Sequence, residues 1–396
     1  MSVKIKKFGT YIPRKSISTK KQQKEKQMKK LLTGFLVFLI LTTAILPNAV
    51  DKKKNVKKIN LAILLDTSNS MDGLINQARQ ELWRIVNEMA SLSKDVPDTK
   101  LDLRISLFEY GNDGLKPTDH YIRMVDSLSQ DLDKVSEHLF GLVTNGGAEY
   151  CGAVIEQALL KIDWSKDNDA VNVILIAGNE PFNQGIIDYK NVCKKAAEKG
   201  IKVNTIYCGN PDNDEAKSWR DGSTLGNGSF MFIDQNLAAE QKPTPYDKNI
   251  LDLNNQLNDT YLYFSKSGKE AKMRQEQEDN NALMSAPSAA IQRAGAKATE
   301  FYNNSKWDLV DASKEEGFDL KKLDKKDLPE EFKNLTETEI KSKIAQYDID
   351  REKIKIEIKK YEKLRNDYLA KSDDTPTQNT FGSALIQSIK SELKLK

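Results

Sequence analysis

The chain has 396 residues, 39% hydrophobic and 30% charged, with 20 Gly, 11 Pro, 3 Cys and 2 His. That length predicts two or three domains, and the composition excludes a multispan membrane protein, a collagen-like chain, a fully disordered chain and a disulfide scaffold. The formal net charge of +3 is unevenly placed: eleven Lys/Arg stand against Glu25 within residues 1–30, while the chain beyond residue 49 carries 50 basic and 57 acidic residues, a net of −7. An acidic body speaks against a nucleic-acid partner, which calls for a basic face. His120 and His138, the only histidines, leave almost no material for a His-built zinc site or a serine triad.

Met28-Lys29-Lys30 precedes an uncharged run from Leu31 to Leu46, and Pro47-Asn48-Ala49 leads into Asp51-Lys52-Lys53-Lys54. A basic start, an apolar stretch and a small residue before a polar segment form the pattern of a secretory signal. As a helix, residues 31–46 span ~24 Å, short of the ~30 Å hydrocarbon core. Extending the run to Val50 just covers that core, so an uncleaved anchor is the alternative. Residues 1–49 are therefore expected to be a basic n-region with a signal peptide or N-terminal anchor, and the body to be periplasmic or extracellular. Any membrane contact is expected through residues 31–50 alone. Cys151, Cys193 and Cys208 are odd in number, so they allow one internal bridge at most, or three buried thiols.

From about 56 to 236 apolar runs alternate with helical patterns. Ile59–Leu65 reads as a buried strand and Leu74–Leu92 as an amphipathic helix; Leu101–Tyr110 and Tyr121–Leu128 read as strands. Leu132–Leu142 and Cys151–Ile162 read as helices, with Val171–Ile176, Ile201–Tyr207 and Ser229–Asp234 as further strands. A helix over 186–199 is closed by Gly200, a favoured residue just past a helix end. Continuous apolar strands separated by helices predict a mainly parallel, doubly wound α/β sheet covered on both faces. In that architecture ligands sit at the carboxyl ends of the strands.

Ile250–Phe264 is expected to close this α/β domain, set at residues 57–264. An α-helical C-terminal region, 265–396, follows. Ala271–Tyr302 is Ala-, Gln- and Glu-rich and interrupted by Pro287. Positions 340, 344, 347, 351, 354, 358, 361, 365 and 368 step by four and three and are Ile or Tyr, except Arg351 and Arg365. This heptad-like seam, on a helix over 340–369, reads as half of an intramolecular helical hairpin rather than an oligomeric coiled coil. Asp373–Thr380 reads as a break before a last helix from Phe381.

Strand 59–65 runs into Asp66-Thr67-Ser68-Asn69-Ser70 just before a helix. One carboxylate and two hydroxyls at alternate positions of a turn can converge on one point, a set suited to a hard cation, Mg²⁺ or Mn²⁺. A single carboxylate leaves the ion positive, so an acidic group of a partner could complete the shell. Helix capping by Asp66 or Ser70 is the simpler alternative, but it uses one residue and does not ask for D-x-S-x-S.

These residues make the chain resemble the von Willebrand factor A (vWA) domain family, whose metal-ion-dependent adhesion site opens with D-x-S-x-S after the first core strand. The resemblance covers roughly 57–236 and implies the doubly wound, Rossmann-like fold, a divalent cation (Ca²⁺ as a further option) and a protein partner. The family's Thr position, in a G-G-T-like turn, falls on Ala148, with Glu149 one place later as the carboxylate some members carry. The family's Asp position falls on Gly178 of Ala177-Gly178-Asn179-Glu180. The implied metal residues are Asp66, Ser68, Ser70 and Glu149, with Thr144 and Glu180 as weaker candidates. The stretch Ala177–Gly185 together with the later helices, into 245–396, also looks like a group of uncharacterised exported bacterial members of the family.

Other chemistries find less material. A haloacid-dehalogenase site needs a second Asp where Ser68 stands, and no P-loop, G-x-G-x-x-G or G-x-S-x-G follows any strand. The expectation is an extracytoplasmic protein-binding or adhesion module without catalysis. A metal-independent scaffold in an envelope assembly is the first alternative, and a hydrolase the last.

Overall fold

The structure, a computed structural model, describes residues 55–95, 99–237, 242–371 and 380–393. The expected signal segment, and most of the expected break at 373–380, lie outside the described residues. The cysteines are free and buried.

Six strands form one sheet: β1 (Asn55–Asp66), β2 (Thr99–Tyr110), β3 (Ile122–Ser129), β4 (Val171–Gly178), β5 (Lys202–Cys208) and β6 (Phe230–Ile233), in the order β3-β2-β1-β4-β5-β6. Every neighbouring pair is parallel except β2 with β3, whose short connection makes them antiparallel. The sheet buries both faces because β1 and β4 are apolar at successive positions. Ile59, Leu61, Ile63 and Leu65 point to one face, against Leu74, Ala78, Leu82 and Val86 of α1 (Asp72–Lys94) and against α2 (Leu132–Gly141). Ala62, Leu64, Ile174 and Ile176 point to the other, under α3 (Cys151–Lys161), α4 (Tyr189–Glu198) and α5 (Asp214–Leu225). Gly200 takes φ +71° just beyond α4, a conformation glycine adopts freely. Helix α5 escapes the sequence pattern because its buried face consists of Ala216, Trp219, Gly222 and Ser223, too few apolar residues to show a period.

The chain then leaves the sheet for a helical excursion: α6 (Asp247–Asn258), α7 (Ser265–Ser285), α8 (Pro287–Lys297), the single turn α9 (Leu309–Ala312) and α10 (Glu337–Leu369). Pro287 is the first residue of α8, and Ala286 before it is extended, as the residue preceding proline must be. Helix α10 starts on a capping box of Thr336 and Glu339.

Its heptad-like seam is intramolecular, but the partner is α6 rather than an adjacent helix. Arg365 Nε donates to Asp247 Oδ1 at 3.0 Å and Arg351 Nε to Thr260 Oγ1 at 3.1 Å, so the two helices run antiparallel. The two seam arginines are buried, and each finds an acid: Arg351 Nη1 lies 2.6 Å from Asp308 and 2.8 Å from Asp311.

The last helix, α11 (Phe381–Leu393), belongs to the α/β layer and not to the helical region in which the sequence placed it. It lies beside α1 over β4–β6, and its Leu385, Ile386 and Ile389 join the core of β1 and α1. The sheet is thus finished by a segment that returns after the helical excursion, and the described residues from Asn55 onward form one compact unit.

Buried Gln77 of α1 ties the exit and the return together. Its Nε2 donates to the carbonyls of Asp234 (2.8 Å) and Leu237 (2.9 Å), and its Oε1 accepts from the Phe381 N–H at 2.9 Å. One turn on, Glu81 accepts from Thr380 Oγ1 at 2.8 Å and from the Gly382 N–H. Gln77→Ala is expected to cost about 1–3 kcal/mol, because three main-chain groups lose their partner, the buried Phe381 N–H among them. A denaturant midpoint that falls with unchanged slope would report it.

Candidate metal centre

Asp66 ends β1, opposite Tyr110 in β2 and next to Gly178 of β4. The turn that follows is fixed by its own backbone. Asp66 Oδ1 accepts the Ser68 N–H at 2.8 Å, the Thr67 N–H reaches the Tyr110 carbonyl at 2.9 Å, and the Thr67 carbonyl accepts from the Asn145 N–H at 2.9 Å. This strapping brings Ser68 Oγ and Ser70 Oγ to 3.2 Å from each other. Glu149, just before α3, places its carboxyl beside those of Asp66 and the Ser68 hydroxyl, with its own N–H held by Gln184 Oε1 at 3.3 Å. Asp66, Ser68, Ser70 and Glu149, proposed from separate parts of the sequence, therefore meet at the carboxyl end of the sheet.

Two atoms stand out. Asp66 Oδ2 and Glu149 Oε2 are both buried and have no fixed donor of their own, and the two carboxyls bond to each other when one holds a proton. A buried carboxylate oxygen without a partner is costly. Burial first pushes both carboxyls well above the ordinary carboxylate range; the Asp66 and Glu180 charges add to this at Glu149, while at Asp66 the Glu180 charge adds to it and hydrogen bonds from Ser68 and Glu149 hold it back. Gly111, at φ +76°, lets the backbone pass this close, since a Cβ there would lie 2.7 Å from Glu149 Cγ and 2.9 Å from Asp66 Oδ1.

The weaker candidates fall outside this group. Thr144 donates its hydroxyl to Asp72 at the start of α1 and not toward Asp66. Glu180 is exposed; Gln184 Nε2 lies 3.4 Å from its carboxylate and Trp219 Nε1 donates to its main-chain carbonyl at 2.8 Å, so it acts on the pair through its charge alone.

Two residues that sequence reasoning passed over shape the site. Asn179 Nδ2 donates to Ser70 Oγ at 3.1 Å and orients it. Tyr110, fully buried, donates from Oη to the Ala177 carbonyl at 3.0 Å, with Cys151 Sγ 3.8 Å away. That phenol fills the space a side chain at 178 would need, because a Cβ on Gly178 would lie 2.6 Å from Tyr110 Oη and 3.0 Å from Asp66 Oδ2. Glycine at 178 and tyrosine at 110 are one packing solution. The placement of 179 directly after a core strand was the available signal for Asn179, whereas nothing in the pattern marks Tyr110.

Among the described residues no three His, Cys, Asp or Glu converge as a metal cage. The donor set is two carboxylates and two hydroxyls, all oxygen, with two unpartnered oxygens, and it fits a hard, partly hydrated divalent cation.

Residues 60–243 match the von Willebrand factor type A domain. None of the curated proteins matches the chain. Among solved structures, the conserved hypothetical protein BatB from Bacteroides thetaiotaomicron is 17% identical, with 44% of this chain and 90% of that one covered at a TM-score of 0.33. The pilus adhesin SpaC from Lactobacillus rhamnosus GG, in an open conformation, is 12% identical, with 46% and 28% covered at 0.34. The SpRpn10 VWA domain is 15% identical, with 44% and 87% covered at 0.32. Residues 60–243 of the chain thus carry a von Willebrand factor type A domain.

Proposed function

We propose that this protein is an extracytoplasmic protein-binding module that meets its partner through a divalent cation, Mg²⁺ or Mn²⁺, held by Asp66, Ser68, Ser70 and Glu149. The observation that carries the reading is the pair of buried, unpartnered oxygens, Asp66 Oδ2 and Glu149 Oε2. A cation bound there would satisfy both oxygens and cancel the repulsion between the carboxyls. Its remaining positions would face the open end of the sheet, where a partner's oxygen can join. The chain's own residues orient and neutralise the ion, and the reading assigns them no bond-breaking step. Export rests on the Met28–Ala49 pattern of basic, apolar and small residues.

Titration calorimetry with Mn²⁺ on the parent and on Asp66→Ala tests the cation. Heat in the parent that is lost in the variant, with both proteins folded by circular dichroism, is the expected result; equal heats reject it. Capture of envelope proteins with and without chelator tests the adhesive half.

A metal-independent scaffold is the second reading. It is favoured by Ala148 and Gly178, which remove two donor positions of the family pattern, and it requires capture that chelator leaves untouched.

A further inference from the structure

We propose that the cation site takes a neutral amide oxygen from its protein partner, a main-chain carbonyl or an Asn/Gln side chain, in preference to a carboxylate. The inference rests on the cation reading above and names the group the partner must offer.

Charge around the site decides the preference. With Asp66 alone, a bound divalent ion would keep a positive charge and draw an acid. Glu149 lies beside Asp66 in the same buried site, so the protein's own two carboxylates already balance the ion. Glu180, exposed on the loop after β4, acts on both of them and adds a third negative charge at the rim. An incoming carboxylate would meet a centre that is net negative. A neutral carbonyl oxygen supplies the missing donor without that repulsion.

Two further observations agree. The position left for a partner cannot be closed from within by a side chain at 178, because Tyr110 Oη stands 2.6 Å from where its Cβ would lie. The loops that carry Glu149 and Glu180 also expose Val143 (72%) and Ile186 (86%). Apolar side chains on these two loops suit an uncharged segment better than an acidic one.

The test uses the full chain loaded with Mn²⁺, with occupancy measured by the loss of the free-ion EPR signal. Paramagnetic broadening of methyl proton resonances then compares acetamide with acetate. In the parent, acetamide should be broadened more than acetate by at least about threefold, a margin set by the repulsion of like charges. In Glu149→Gln, held at saturating Mn²⁺, the ratio should shift toward acetate. Glu180→Gln, at an exposed position, provides the same direction of shift where the first variant folds or loads poorly. Preferential broadening of acetate in the parent, or a ratio that neither variant moves, overturns the proposal. Failure of the parent to take up Mn²⁺ overturns the cation reading itself, and the two failures are distinct.

Discussion

Arg293→Met is expected to destabilise the protein by about 3–5 kcal/mol, the usual cost of stranding buried acids whose basic partner is removed. Arg293 is 1% exposed and joins four helices. From α8, its Nη1 contacts Asp133 of α2 at 2.6 Å, its Nε contacts Asp279 of α7 at 2.5 Å, and its Nη2 donates to the Gln275 carbonyl at 2.8 Å. Its guanidinium stacks on Trp83 of α1 at 4.4 Å. Methionine keeps much of the bulk but none of the donors. Asp279 would keep Lys297, at 3.1 Å, while Asp133 would keep only the Tyr302 hydroxyl, at 2.5 Å.

Because the guanidinium joins the sheet-covering α1 and α2 to the helical excursion, its loss should loosen the excursion first. Hydrogen exchange in α7 and α8 should therefore rise before global unfolding. Adding Asp133→Leu to Arg293→Met removes the stranded charge and should recover part of the loss, a coupling that a double-mutant cycle measures. Additive losses would mean that the pair is not the connection it looks to be.

The α/β half was legible because its physics is local. Strands buried on both faces are continuous apolar runs, and helices announce themselves by period, so β1 and α1 were placed within a few residues of where they lie. Asp66, Ser68 and Ser70 were equally legible, since one turn carries all three. Where packing replaces pattern, the sequence is silent. Helix α5 buries a tryptophan with small residues. Tyr110 looks like any strand aromatic until its hydroxyl is found in the space beside Gly178.

The helical half was legible as helices but not as architecture. Arg351 and Arg365 interrupt an apolar seam, and only the fold brings Asp308, Asp311 and Asp247 to them across long stretches of chain. The same holds for α11: an amphipathic helix at the end of a sequence gives no sign that Gln77 and Glu81 hold its start to α1 and that the sheet depends on it.

Glu149→Gln is expected to raise the melting temperature of the cation-free protein at pH 8.5 and to remove most of the stabilisation that Mn²⁺ gives the parent. Asp66 and Glu149 are pushed up to about 7 and about 8 in the folded protein, chiefly by burial and then by neighbouring negative charge. Unfolded carboxyls titrate near 4. Between about pH 4 and pH 8 the folded state therefore binds more protons than the unfolded state, so stability without a cation falls as pH rises through that window.

The loss at pH 8.5 is of order a few kcal/mol for a carboxylate as buried as Asp66. Glutamine at 149 carries no charge at any pH and removes the buried carboxylate that Asp66 repels, so the variant's melting curve should be flatter with pH and higher at the alkaline end. A cation acts in the opposite sense from a proton. It needs both carboxylates ionised, so its stabilisation of the parent should be large at pH 8.5 and fade by pH 5.5 as protons compete for the same oxygens. Differential scanning calorimetry of parent and variant at both pH values, with and without Mn²⁺, reads all of these at once. Parallel pH curves for the two proteins would mean that Glu149 does not share the site with Asp66, and the cation would lose its second carboxylate.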